Sequence, residues 1–215
     1  YTLKDVPKAL ELSLSPAFYL TSPIDDSSQN VIYINRNPIY DNQPLYNTIA
    51  HEGYPGHLYQ TVWFHTHCDS DLRKILSFSG YTEGWAAYVE ALSYRLDNGL
   101  DPLLGELLEA NSKATLGIHA YLDMAINYLG WEQKDVQKYL STYFSDSESI
   151  ADSMFETMID NPANYLSYFI GSLEIRNMRE TAELQLGDSF DATKFHSFLL
   201  DMGNAPFDVI QAYFT

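Results

Sequence analysis

Residues 51–57 read His-Glu-Gly-Tyr-Pro-Gly-His, and this segment limits how the chain can fold more than any other. On a straight α-helix, two side chains six positions apart are related by a rotation of about 240° around the helix axis, so they lie on different faces. The imidazoles of His51 and His57 could therefore not share a ligand on a straight helix. Pro55 lacks a backbone N–H and clashes with the preceding turn, so a helix kinks or breaks there. We therefore predict a broken helix whose break brings His57 back towards His51.

Two histidines and one glutamate are the protein ligands of many catalytic zinc sites, in which a fourth position stays open. We predict His51, His57 and Glu83 as zinc ligands. Glu52 follows the first histidine directly, as the general base of a metallopeptidase does. We predict that Glu52 takes a proton from the attacking water and delivers it to the leaving amine. The simpler alternatives are hydrogen-bonded structural histidines and a solvated Glu52.

Several blocks of the chain together resemble a known family. The blocks are residues 51–57, the Glu-Gly-Trp-Ala-Ala-Tyr-Val-Glu segment at 83–90, residues 168–171, and residues 195–206. They resemble the bacterial family catalogued as domain of unknown function 885, which includes many proteins classed as lipoproteins. That family is similar to zinc metallopeptidases of the gluzincin type. The resemblance extends from about Pro16 to the C-terminus, with two departures, since Leu58 and Asn127 stand where histidine is expected.

The resemblance implies roles that the spacing alone does not. Peptide hydrolysis needs a donor for the developing oxyanion, and the resemblance assigns this role to Tyr168 first and His196 second, the alternative for Tyr168 being plain packing. Family members are considerably longer, so this chain, which begins at Tyr1, is expected to be a C-terminal catalytic part on which the rest of the parent chain packs. The lipoprotein members imply an extracytoplasmic, lipid-anchored location.

Other polar residues are weaker candidates. Glu90 lies seven positions after Glu83 on the same helix face, where it either orients a ligand or is simply solvated. Asp123 is a less favoured candidate for the same supporting role. Arg176 and Arg179 could bind a substrate carboxylate, although pairing with nearby glutamates is the expected role.

The remaining histidines and the cysteine are not counted in the site. His65 and His67 do not share a helix face, so we do not expect them to bind a metal together. Cys68 has no neighbouring base and is interpreted as structural. As the single cysteine, it cannot form an internal disulfide.

Composition excludes several classes of protein. With 215 residues, of which 46% are hydrophobic, the chain is expected to form one globular domain over residues 1–215. A formal net charge of −17 disfavours nucleic acids and anionic membrane surfaces as partners, and is attributed mainly to solubility. No apolar run reaches the ~18 residues that a membrane span needs, so no transmembrane segment is expected.

The predicted fold is mainly α, a multi-helix, zincin-like domain with a small β-hairpin or edge strand near the metal site. Residues 31–35 are the best strand and pair with an extended piece at 16–21. The free edge of the 31–35 strand either binds an extended peptide or only covers the core. Asp41 or Asn42 is expected to cap the helix that carries His51, with Pro44 in its first turn. Thr82 is expected to cap the Glu83 helix. Further helices are predicted at about 56–66, 71–78, 101–129, 132–144, 147–159, 162–186, 191–202 and 206–214. Asp101 and Pro102 are expected to open the helix at 101–129, and Gly203 stands where the helix at 191–202 should stop.

These features favour a zinc-dependent peptide hydrolase, with dipeptidase or carboxypeptidase as narrower possibilities. One alternative is a metallohydrolase of non-peptide amides. Another is a non-catalytic binding domain with a structural or vestigial metal site. The presence of Glu52 argues against the binding domain, because a purely structural site needs no base.

Overall fold

The computed structural model describes residues 1–40 and 45–214. The fold is mainly α-helical with one small sheet, as predicted. The helices are α1 Leu45–Glu52, α2 His57–His67, α3 Asp71–Ile75, α4 Ser79–Ser93, α5 Pro102–Asn127, α6 Gln133–Leu140, α7 Ser147–Asp160, α8 Asn164–Leu186, α9 Ala192–Met202 and α10 Phe207–Tyr213. The strands are β1 Thr2–Asp5, β2 Ala17–Leu20 and β3 Val31–Ile34.

The sheet has the order β1-β3-β2, with β1 parallel and β2 antiparallel to the central strand β3. The predicted pairing of β2 with β3 is confirmed, and Tyr19 lies opposite Ile32 in its register. Alternation along β3 buries Ile32 and Ile34. The predicted free edge of β3 is wrong, because β1, which the sequence did not reveal, occupies it. The edge that faces the helices belongs to β2 instead.

Two helix ends follow the predicted signals, and one predicted cap is wrong. The carboxylate of Asp101 accepts the N–H of Leu103 and caps α5. Gly203 has a positive φ at the end of α9, where glycine is the usual stop. The predicted cap at Thr82 is wrong, because α4 starts at Ser79 and the Thr82 hydroxyl donates to the Asn204 side chain instead. The capping role predicted for Asp41 or Asn42 and the place of Pro44 lie outside the described residues.

Helices α4 and α8 form the centre of the molecule and pack backbone against backbone. A Cβ added at Gly171 would lie 2.0 Å from the carbonyl oxygen of Gly80 and 2.8 Å from the Cα of Gly84. Only glycine permits this approach, and it places the Glu83 turn of α4 directly against α8. The surrounding core is made of large buried side chains, among them Tyr81, Trp85, Ile175, Leu199 and Ile210. A second core joins α5, α6 and α7 through Leu122, Val136, Leu140 and Met158.

Among the described residues, no helix is both long and apolar enough to cross a membrane.

Candidate metal centre

The motif helix is broken where the sequence predicted. Helix α1 ends at Glu52 and α2 begins at His57, and the Tyr54–Pro55 peptide between them is cis. The N–H of Gly56 donates to the carbonyl of Ala50 over 2.9 Å, so the connection folds back over the end of α1. A Cβ at Gly56 would lie 1.8 Å from the carbonyl oxygen of His51, so a side chain does not fit there. The glycine thus permits the fold-back that carries the second histidine to the first.

Three predicted ligands meet between α1, α2 and α4. The Nε2 of His57 is 3.2 Å and the Nε2 of His51 is 3.7 Å from the Oε2 of Glu83. One ligand atom from each residue lies within 4.8 Å of the other two. Zinc bonds of about 2.0–2.1 Å in a tetrahedral arrangement separate neighbouring ligand atoms by roughly 3.4 Å. These distances therefore suit a small cation between the three side chains.

The charge state of Glu83 also fits a cation. Its Oε2 is buried, yet it accepts no well-aligned hydrogen bond from the described part of the chain. Burial opposes ionisation of this carboxyl, but the adjacent imidazoles of His51 and His57 outweigh it and lower its pKa to about 2. An ionised, buried oxygen without a donor is costly unless a positive charge lies beside it. In the metal-free protein a protonated imidazole supplies that charge, and a metal ion would take its place.

Glu90 holds the imidazole of His51 from the opposite side. The Nδ1 of His51 is 2.9 Å from the Oε2 of Glu90, which leaves the Nε2 directed at Glu83. Burial disfavours a charged His51, but the carboxylates of Glu83 and Glu90 raise its pKa to about 10. Ligating histidines usually donate their second N–H to such a carboxylate. Of the two roles predicted for Glu90, the contact with His51 therefore favours orienting that imidazole over a merely solvated position.

Glu52 lies at the end of α1 and touches the sheet. Its carboxylate accepts the backbone N–H of Tyr19 over 2.8 Å, and Tyr19 belongs to the edge strand β2. Its negative charge also raises the pKa of both His51 and Tyr168, so it lies close to both. Glu52 is therefore held by a hydrogen bond and is not simply solvated, which was the alternative.

Tyr168 lies on α8 beside the predicted ligands. Its ring stacks on that of His51, with ring centroids 6.0 Å apart. Burial and the nearby carboxylate of Glu83 raise the pKa of its hydroxyl. The phenol therefore keeps its proton at neutral pH and can donate a hydrogen bond.

His196, by contrast, is not brought to the ligand group. Its Nε2 is 2.9 Å from the hydroxyl of Tyr88, and its ring packs edge-on against Trp85. Burial and the charge of Arg179 lower its pKa. None of the contacts that the structure describes for His196 is with His51, His57 or Glu83, so the geometry gives no support to its predicted role as an oxyanion donor.

Asp123 acts on the site indirectly. Its buried carboxylate accepts the backbone N–H groups of Ala163 and Tyr165, at 2.8 Å and 3.1 Å, and also the side-chain amide of Asn127. These bonds fix the start of α8, one turn before Tyr168. Sequence reasoning ranked Asp123 low and missed this role, because the partners lie forty residues away in the chain.

Other histidines and Cys68 stay apart from the centre. Over residues 1–40 and 45–214, the only cluster of three or more metal-binding side chains is the one at His51, His57 and Glu83. His67 stacks on Trp63, and Cys68 is half-buried and free.

A cavity of about 630 Å³ adjoins the centre and is called the central cavity below. It lies between α4, α5 and α8. Its wall includes His51, Glu90, Tyr168, Ser172 and Arg176. The cavity therefore reaches the ligand group from the side of His51 and Tyr168.

Comparison with known proteins agrees with this architecture. A family model described as a bacterial protein of unknown function (DUF885) matches residues 1–213. The crystal structure of a putative lipoprotein from Colwellia psychrerythraea superimposes with a TM-score of 0.84 at 26% identity, covering 99% of this chain and 37% of that one. A putative lipoprotein of unknown function from Shewanella oneidensis superimposes with a TM-score of 0.74 at 22% identity, covering 98% and 39%, a likeness of fold alone. This chain thus spans less than two fifths of either relative. No curated protein matches it.

Proposed function

The chain belongs to the DUF885 family of bacterial proteins, and from its site we propose that it is a zinc-dependent hydrolase of peptide bonds. The observation that carries the proposal is the ligand group of His51, His57 and Glu83 with Glu52 beside it. The distances between the ligand atoms fit a cation, and so does the buried Oε2 of Glu83, which accepts no well-aligned hydrogen bond from the described residues. The same ligand set and adjacent glutamate support a relationship to gluzincin-type peptidases.

His51, His57 and Glu83 would hold the zinc. A zinc ion with one open position polarises a carbonyl group and makes water nucleophilic near neutral pH. Glu90 would keep the Nδ1 of His51 protonated and its Nε2 turned inward.

Glu52 would move the proton. As the water oxygen bonds to the carbonyl carbon, the carboxylate of Glu52 accepts a water proton. It then passes that proton to the nitrogen of the breaking C–N bond, which leaves as an amine. The N–H of Tyr19 holds one carboxylate oxygen, which fixes the orientation of the base.

Tyr168 and β2 would position the substrate. The protonated hydroxyl of Tyr168 lies beside His51, where it can donate to the oxyanion as it forms. The outer edge of β2 is next to Glu52, and an edge strand can pair with an extended peptide backbone. This proximity of an edge strand to the base is what favours a peptide over other amides.

The proposal is tested with Glu52→Gln, which retains an acceptor for the N–H of Tyr19 but cannot accept the proton. We expect about one zinc per chain in the parent protein and in this variant, with hydrolysis of a peptide library lost only in the variant. His51→Ala should lose the zinc as well. Hydrolysis that survives in Glu52→Gln would refute the mechanism, and a parent protein that takes up no zinc would refute the metal site.

We also propose that the protein acts outside the cytoplasm as part of a lipid-anchored chain, because its solved relative from Colwellia is described as a putative lipoprotein. Cell fractionation of the full-length protein tests this. Detergent-released protein in the membrane fraction is the expected result, and recovery in the cytosol would contradict it.

A further inference from the structure

Arg176 is a partly buried cation in the wall of the central cavity. Within residues 1–40 and 45–214, its guanidinium makes no hydrogen bond or ion pair. The pairing with a nearby glutamate that the sequence suggested is therefore not formed. A half-buried guanidinium with five donors and no acceptor is suited to an anionic ligand.

The other basic side chains near the cavity are already neutralised. Arg179 donates to Glu183 over 2.7 Å and to the hydroxyl of Tyr88 over 2.9 Å. Lys113, also in the cavity wall, is paired with the buried carboxylate of Glu109. The one acidic wall residue, Glu90, is bound to His51. In a chain of net charge −17, the cavity therefore presents an unpaired positive charge among its described residues.

The distance between Arg176 and Tyr168 along α8 sets how many peptide residues separate the bound group from the bond being cut. Arg176 lies eight residues after Tyr168 on α8, or about 12 Å along the helix axis. An extended peptide advances roughly 3.3 Å per residue, and an arginine side chain can reach several ångströms towards it. A group bound by Arg176 would thus lie roughly two to four residues from the bond being cut.

We propose that Arg176 binds the C-terminal carboxylate of the peptide substrate, so that the enzyme releases short peptides from carboxyl ends. The inference rests on the proposed function, since it names the substrate class of the same site. The bidentate fork of arginine matches the two oxygens of a carboxylate. Ser172, one turn before Arg176, adds a hydroxyl to the same wall.

The test measures binding with the zinc-loaded Glu52→Gln variant, so that no probe is consumed. The probes are N-acetylated tetrapeptides of mixed sequence, prepared as free acids and as C-terminal amides, with bound peptide quantified by equilibrium dialysis and mass spectrometry. We expect the acids to bind about 10- to 100-fold more tightly than the amides, as a hydrogen-bonded charge pair predicts. Adding Arg176→Gln should remove this preference.

Two control variants accompany the test. Arg36→Gln removes an exposed arginine that pairs with Asp5 beside the sheet, and it should leave the preference unchanged. Arg176→Lys keeps the charge without the planar fork and should keep part of the preference. Circular dichroism establishes that each variant is folded.

The outcomes separate this inference from the proposed function. Equal binding of acids and amides, or a preference that survives Arg176→Gln, overturns the carboxylate site while hydrolysis by the parent protein would still support the peptidase. A preference for acids without any hydrolysis by the zinc-loaded parent protein supports the carboxylate site and overturns the peptidase. If neither probe set binds, the carboxylate site is overturned, and hydrolysis by the parent protein again decides whether the peptidase stands.

Discussion

Substituting Gly171 by alanine tests how the metal centre depends on the contact between α4 and α8. The new Cβ would lie 2.0 Å from the carbonyl oxygen of Gly80, well inside the ordinary contact distance of 3.4 Å. Relieving the clash requires the helices to separate by about 1.4 Å. Metal–ligand distances tolerate only about 0.2 Å. Because Glu83 lies on α4 and both histidines lie on other helices, the separation should withdraw Glu83 from the metal.

The expected magnitudes follow from that displacement. Mutating a residue that only supports a metal ligand typically lowers metal affinity by about 10- to 100-fold. Displacing the ligand Glu83 itself should therefore lower zinc affinity by about 100-fold or more. Overpacking costs about 1–3 kcal/mol of unfolding free energy, of which alanine regains up to about 1 kcal/mol through helix propensity. A net destabilisation of about 0–2 kcal/mol is therefore expected.

Zinc titration against a chelator of known affinity, together with urea unfolding, measures both effects. Gly80→Ala, on the facing helix α4, is the matched control, because its Cβ would lie an ordinary 3.8 Å from the ring of Phe207. It should keep the zinc affinity of the parent. If Gly171→Ala also keeps its zinc affinity and is no less stable, the reasoning from the helix contact is wrong.

Three further predictions concern single side chains. The pKa of His51 is about 10 in the folded protein and 6.5 in the unfolded chain. The charged imidazole therefore stabilises the metal-free protein fully below pH 6.5, and this stabilisation is lost as the pH rises through 10. The Tm of the metal-free protein should fall between pH 6.5 and pH 10, and it should fall less steeply in Glu90→Gln. Parallel curves of Tm against pH for the two proteins would contradict the contribution of Glu90 to the raised pKa of His51. Tyr168→Phe should lower kcat by about 10²–10³-fold with zinc content unchanged, and an unchanged kcat would exclude it as the oxyanion donor. Asp123→Ala should lower the unfolding free energy by about 2 kcal/mol or more, because two backbone N–H groups at the start of α8 lose their acceptor, and an unchanged urea midpoint would contradict that role.

Local features of this protein were readable from the sequence because their causes are local. Pro55 predicted the broken helix, and the helix is broken there. Asp101 and Gly203 marked the start of α5 and the end of α9 for the same reason, since capping depends on a residue and its immediate neighbours. The spacing of His51, Glu52 and His57 with a downstream Glu83 suggested a ligand group before any geometry was known.

The tertiary structure decided everything that depends on distant partners. β1 takes the edge of β3 that the sequence left free, and β2 becomes the strand that holds Glu52. His196 is hydrogen-bonded with Tyr88 and does not join the group of His51, His57 and Glu83. Arg179 pairs with Glu183 one turn away, as the sequence suggested, but Arg176 faces the central cavity without an acceptor among the described residues. Side-chain pairing across elements depends on how helices pack, and here that packing is set by the close contact of Gly84 with Gly171, which no local pattern encodes.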